Sequence, residues 1–220
     1  MHSRRLRHFA IASAAVLASV LSPLPTGVAS ADDCPDIEVV FARGTNDAPG
    51  LGNVGGAFVD SLRSKVGGRS VGAYAVNYPA SFDFLAAADG ANDMSSHIQF
   101  MVDNCPNTRL VLGGYSQGAA VMDVVTTSPV AGLGYTAPLP AAAVPHVAAV
   151  AVFGNPSARF GRPLTILSPD FGARTADLCN TNDPVCSRGD DFDAHVRYPQ
   201  SGLVKLAAQW ITKNVQQRYT

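Results

Sequence analysis

The sequence predicts an α/β fold of three layers, a central and mainly parallel sheet between two layers of helices, and three observations lead there. After Cys34 short apolar runs alternate with stretches of helical spacing, the pattern left when parallel strands are joined by crossover helices. Of the 220 residues 47% are hydrophobic, enough to fill the core of one domain. The apolar run Arg109 to Gly113 stops at two glycines and a lone serine before a small-residue helical stretch, a sharp strand-to-helix turn.

Ile37 to Ala42 is uninterrupted and apolar, as a strand buried on both faces should be. Phe58, Val59, Leu62 and Val66 follow at helical spacing, and Val71 to Val76 reads as a second strand ending at Tyr78-Pro79. Met94, Ile98, Met101 and Val102 mark a helix closed by Asn104-Cys105-Pro106. Arg109 to Gly113 is the next strand and Gln117 to Thr127 the next helix. Pro129 opens a long irregular connection, and strand character returns at Val147 to Phe153. Thr175 to Cys179 is the last strand. After a loop dense in Asn, Asp and Gly, a final helix should pack Leu203, Leu206, Ala207, Trp210, Ile211 and Val215 on the sheet.

Residues 1–31 read as a signal peptide: Arg4, Arg5 and Arg7 precede an apolar run from Phe9 to Leu21 and a small-residue site at Ala29-Ser30-Ala31. The expected product is a secreted, extracellular protein beginning near Asp32, with retention at the cell envelope open. Residues 32–220 form a single domain without internal repeats. No later segment reaches the roughly 20 apolar residues of a membrane helix. Removing the three leader arginines leaves 13 basic against 17 acidic side chains, a net charge of −4. That balance draws neither nucleic acid nor anionic membrane. A monomer is expected.

All four cysteines, Cys34, Cys105, Cys179 and Cys186, lie after the leader, and in an exported chain they read as two disulfides with three possible pairings. The close spacing of Cys179 and Cys186 favours a local bridge. A metal site lacks both paired C-x-x-C spacing and nearby histidines, so neither metal nor cofactor is called for.

Gly114-Tyr115-Ser116-Gln117-Gly118 between a strand and a helix is the G-x-S-x-G nucleophile elbow of α/β-hydrolases in its required setting. Ser116 needs a base, and His97, His146 and His195 are the candidates after the leader. His97 falls on a helix and is expected on a solvated face; His146 enters a strand and reads as structural. His195 lies in a loop after the last strand, where the order serine, acid, histidine requires the base. The acid comes from Asp123, Asp170, Asp177, Asp183, Asp190, Asp191 or Asp193. Asp183 is favoured because it sits between two cysteines and before Pro184, while Asp190, Asp191 and Asp193 read as a solvated run and Asp123 lies on a helix.

"FARGTND", "GGYSQGAA", "VFGNP" and "CNTNDPVC" followed by His195 together resemble the cutinase family of secreted serine esterases over most of the chain. The resemblance implies a cutinase-like α/β-hydrolase fold without a large lid, and the disulfides Cys34–Cys105 and Cys179–Cys186. It implies the triad Ser116, Asp183 and His195, with an oxyanion hole from the Gln117 backbone N–H and the Thr45 hydroxyl. Fungal members resemble "RGS" where this chain reads "RGT". Phe82, Phe84 and Leu85, or the stretch from Pro138 to Pro145, are candidates for an apolar acyl groove. The expected chemistry is hydrolysis of short- to medium-chain acyl esters of lipid or other origin. A phospholipase or an acyltransferase would use the same acyl-serine, and a binding protein that keeps the fold is the non-enzymatic alternative. A neutral base implies activity that rises as pH is raised through the ordinary range of an imidazole.

Overall fold

The computed structural model describes residues 34–217; the leader and the start near Asp32 lie outside the described residues. Five strands, β1 (Ile37–Ala42), β2 (Val71–Ala75), β3 (Arg109–Tyr115), β4 (Val147–Phe153) and β5 (Thr175–Leu178), form one sheet in the order β2-β1-β3-β4-β5. Every pairing is parallel. Such a sheet must be covered on both faces, which explains why β1 and β4 are buried at every residue.

The helices divide accordingly. Along β1 alternate side chains point to opposite faces: Ile37, Val39 and Phe41 join the cluster under α1 (Gly52–Arg63) and α7 (Leu203–Gln217). Val40 and Ala42 join the cluster under α2 (Ala87–Asn104) and α3 (Gln117–Thr127). The first cluster centres on Phe58, whose ring lies 6.3 Å from that of Phe41 and 5.8 Å from that of Phe153. Truncating such a ring to Ala costs about 3–5 kcal/mol, so Phe58 is a principal anchor of the α1 side.

Three expectations shift. β3 runs two residues further than Gly113, because Gly114 and Tyr115 still pair with Val152 and Phe153 of β4; the strand therefore delivers Ser116 directly. On α7 the buried stripe is Val204, Ala207, Ala208, Ile211 and Val215, while Leu206 is exposed and Trp210 half-buried. The loops hold three short helices: α4 (Pro156–Arg159), α5 (Leu164–Leu167) and α6 (Phe192–Val196). Capping accounts for two of them, since Asn155 accepts from the Ser157 N–H and Asp191 from the Ala194 N–H. Asp191 is thus half-buried and structural rather than part of a solvated run.

His97 also departs from expectation. Its ring stacks on Tyr74 at 3.5 Å and its Nε2 lies 2.8 Å from a Glu38 carboxylate oxygen, so it closes the edge of the sheet instead of facing solvent.

Strand order reverses between β1 and β3, which lie side by side while their following helices cross to opposite faces. Loops splay apart at such a switch point and leave a crevice beyond the carboxyl ends of the strands. The loops after β1 and β3 carry Thr45 and Ser116.

Candidate active site

Ser116 occupies the turn between β3 and α3 with φ 55° and ψ −116°, a backbone conformation that a non-glycine residue holds only when its surroundings enforce it. Enforcement comes from close packing. A Cβ on Gly118 would fall 2.0 Å from the Ala42 carbonyl oxygen, and one on Gly114 2.2 Å from the Gly118 carbonyl oxygen. Only glycines let α3 press this closely on β1, and the result is a serine at the N-terminal end of an 11-residue helix, where the dipole favours negative charge.

The Ser116 Oγ lies 2.9 Å from His195 Nε2. On the other side of the ring Nδ1 lies 3.0 and 2.9 Å from the two carboxylate oxygens of Asp183. A carboxylate only accepts, so Nδ1 carries the proton and Nε2 is free to accept from the serine hydroxyl. His195 sits on α6, a short helix, rather than in the expected loop.

Asp183 is fully buried inside the loop closed by Cys179–Cys186, two cysteines seven positions apart. Burial would raise its pKa, but hydrogen bonds from His195, Tyr198 and the Val185 N–H outweigh it and hold the carboxyl below the usual range. The Tyr198 hydroxyl donates to Asp183 Oδ2 at 2.6 Å; burial, followed by that carboxylate, pushes the phenol up. Tyr115, the residue before the serine, reaches across and donates its hydroxyl to the His195 carbonyl at 2.8 Å while its ring stacks 5.0 Å from the imidazole. The strand that delivers the serine therefore also holds the histidine.

The loop after β1 is braced from within. The guanidinium of Arg43, buried, donates to the carbonyls of Asp47 at 3.0 Å and Tyr78 at 2.6 Å. Asp47 Oδ2 accepts from the Gly44 N–H at 3.1 Å, and the Asn46 N–H bonds to the Ala80 carbonyl at 2.7 Å. Thr45 and Gln117 both line the cavity that contains Ser116 and His195. This cavity has a volume of about 680 Å³, and its walls are largely apolar, including Phe82, Phe84, Phe192 and Val196. Those four side chains are 72%, 63%, 63% and 48% exposed, an apolar rim around the serine.

The structure thus gathers Ser116, His195, Asp183, Thr45 and Gln117, and it brings Phe82 and Phe84 to the same place. Leu85 lies beside a neighbouring groove instead, and Leu139, Pro140, Ala141 and Val144 of the Pro138 to Pro145 stretch line a depression without Ser116. Distance along the sheet decides this, since that stretch leads into the opposite, N-terminal end of β4. The cysteines pair as Cys34–Cys105 and Cys179–Cys186.

Sequence reasoning passed over Tyr198 and Arg43, and it weighed Asp123 and Asp177 only as candidates for the acid, not as a group joined by Asn155. The Asn155 Nδ2 donates to Asp123 Oδ1 and to Asp177 Oδ2, both at 3.0 Å. Asn155 stood in the "VFGNP" stretch, but nothing linear connects it to two aspartates 32 and 22 residues away.

A family model described as Cutinase matches residues 33–215. The chain belongs to the cutinase family. Phospholipase Culp4 of Mycobacterium tuberculosis is 54% identical over 213 residues, covering 97% of this chain and 93% of that protein. Carboxylesterase Culp1 of Mycobacterium bovis is 50% identical over 210 residues, covering 92% of each. Among solved structures, Trichoderma reesei cutinase with a phosphonate inhibitor superposes with a TM-score of 0.67 at 34% identity, over 83% of this chain and 77% of that one. An acetylxylan esterase superposes with a TM-score of 0.71 at 28% identity, over 83% and 99%. This cutinase-family protein is accordingly a carboxylic ester hydrolase on an α/β-hydrolase-like fold. Among the described residues no helix is long and apolar enough to cross a membrane.

Proposed function

We propose that the protein is an exported serine carboxylesterase in which Ser116 is the nucleophile, His195 the general base and Asp183 the group that orients it. One observation carries the reading: an unbroken hydrogen-bond chain from Ser116 through His195 to Asp183 opens on an apolar cavity.

With an acyl ester in the cavity, His195 Nε2 takes the hydroxyl proton as Ser116 Oγ attacks the carbonyl carbon. Asp183 stabilises the imidazolium that forms. Negative charge gathers on the carbonyl oxygen, where the Gln117 N–H at the start of α3 and the Thr45 hydroxyl are the assigned donors. Such donors act strongly because they are fixed before the charge develops. His195 then protonates the departing alcohol, and the same base activates water to release the acyl group.

The cavity suits short- to medium-chain acyl groups, with the alcohol side facing solvent. A phospholipid is the second substrate class, favoured by the likeness to phospholipase Culp4 and by the apolar rim that faces solvent beside the serine. Export and the leader at residues 1–31 belong to the same proposal, supported by two disulfides among the described residues. The deciding experiment is hydrolysis of p-nitrophenyl esters from acetate upward by the protein beginning at Asp32. Ser116→Ala should lower turnover on the order of a million-fold with unchanged circular dichroism; retention of most activity would remove Ser116 as nucleophile.

A further inference from the structure

We propose that the catalytic cavity continues past Phe84 into a second apolar groove that holds the distal part of a long hydrocarbon acyl chain. This rests on Ser116 as the nucleophile. The groove has a volume of about 470 Å³ and shares two residues, Phe84 and Ala87, with the catalytic cavity. The two spaces therefore meet at one wall, and Phe84, 63% exposed, is not locked into the core.

Helix α3 runs along both. Ala120 lines the catalytic cavity, while Val124 and Thr127 line the groove. Residues at i, i+4 and i+7 share one helix face, so the floor extends about 10 Å beyond Ala120 at the helical rise. No charged side chain lines the groove. Two of its polar side chains are already partnered: the Thr127 hydroxyl donates to the Asp123 carbonyl at 2.6 Å, and the Tyr135 hydroxyl lies 2.8 Å from that of Ser95. A polar ligand would find little to bond there, whereas a hydrocarbon loses nothing.

The far wall is the segment around Leu133, whose φ of 49° places a leucine in the left-handed region with 97% of its surface exposed. Two backbone hydrogen bonds between Gly132 and Tyr135, at 2.8 and 2.9 Å, close this turn. Asn92 on α2 pins it, donating to the Gly134 carbonyl at 2.8 Å and accepting from the Thr136 N–H at 2.7 Å. A bulky residue so held points to function at the position. Together with Leu85 and Val130, 80% and 71% exposed, it forms an apolar lip that the folded chain leaves uncovered. The occupant is an acyl chain rather than another protein because the groove borders the catalytic cavity at Phe84 and Ala87, and each methylene buried should strengthen binding about fourfold.

The test compares kcat/KM for p-nitrophenyl butyrate and palmitate, and for dipalmitoyl phosphatidylcholine vesicles, in the parent protein and two variants. Gly132→Phe fills the groove at a position where an added Cβ meets nothing within 4 Å. Ala131→Glu places a carboxylate there from an exposed site, so a folding failure of one variant leaves the other. The expected result is butyrate hydrolysis within twofold of the parent and a palmitate-to-butyrate ratio at least tenfold lower in the folded variants. An unchanged ratio would overturn the groove. Loss confined to the diacyl lipid would also overturn it, because the groove would then hold the lipid's other chain. The nucleophile reading fails separately, if Ser116→Ala still hydrolyses butyrate.

Discussion

Asp123→Asn should stabilise the protein at neutral and alkaline pH. Asp123 is only 9% exposed on α3; Oδ1 accepts from Asn155 and Oδ2 from the Ser157 hydroxyl. Burial, the largest influence, pushes its carboxyl from 3.8 up to about 6 against those two hydrogen bonds, and the charge of Asp177 adds to the rise. A carboxyl that binds its proton more tightly in the folded chain favours folding at low pH; that contribution is lost as pH rises from about 4 through 6 and stays lost above. The interval corresponds to about 3 kcal/mol of destabilisation at pH 8. An asparagine keeps the geometry, since its oxygen accepts from Asn155 and its amide donates to the Ser157 oxygen, but carries no charge. Urea unfolding at pH 4 and pH 8 measures the difference. The variant should gain up to about 3 kcal/mol at pH 8 and only a small fraction of that at pH 4, with a melting temperature up to about 6–12 °C higher at pH 8 for a domain of this size. An advantage equal at both pH values, or none at pH 8, would show that the buried charge is not what the protein tolerates at this position.

Tyr198→Phe removes the hydroxyl that donates to Asp183 and should cost about 1.5–3 kcal/mol, the range for a hydrogen bond to a charged group. Because the folded Asp183 carboxyl lies below 3.8, the loss should be full at neutral pH and shrink on acidification below that value; a pH-independent loss would assign the effect to the Asn180 N–H, from which the same hydroxyl accepts at 3.1 Å. Thr45→Val should lower kcat about 100- to 1,000-fold with little change in KM if the hydroxyl serves the oxyanion, whereas Thr45→Ser should restore most of it. Reduction of Cys179–Cys186 removes a constraint of about 2–3 kcal/mol on a short loop and frees the segment carrying Asp183. Esterase activity should fall before near-ultraviolet circular dichroism changes; a simultaneous loss would count against a local effect.

The parts of this fold that were legible from sequence are those where one physical rule dominates. β1 and β4 read correctly because a strand buried on both faces has no alternation to misjudge. The turn at Ser116 read correctly because sterics at Gly114 and Gly118 admit few other residues. Legibility ended where partners are distant in sequence. Tyr74 and Glu38, which surround the ring of His97, belong to neighbouring strands, so a helix pattern alone could not reveal that this histidine is half-buried. Leu206 is an apolar residue at the right spacing that faces outward, because Val204 and Ala208 rotate the buried stripe of α7 by about one position. Tyr198 was missed for a related reason: an aromatic residue in the connection between α6 and α7 looks like packing until its hydroxyl is seen on Asp183.

The same contrast bears on how the candidate site can face open solvent. Asp183 and Tyr198 are fully buried and His195 is 4% exposed; the hydrogen-bonded pair of Asp183 and His195 is dry on its inner side, where Tyr198 belongs to the core under α7. With Ser116 in its proposed role, dryness around it would come from the substrate. Phe82, Phe84, Phe192 and Val196 are exposed when the cavity is empty, and an acyl chain laid against them would exclude water from Ser116 while gaining apolar contact for itself. A long chain would cover more of this rim than a short one. The dependence of kcat on acyl length, separate from KM, is therefore the measurement that distinguishes a rim that only binds substrate from one that also completes the site.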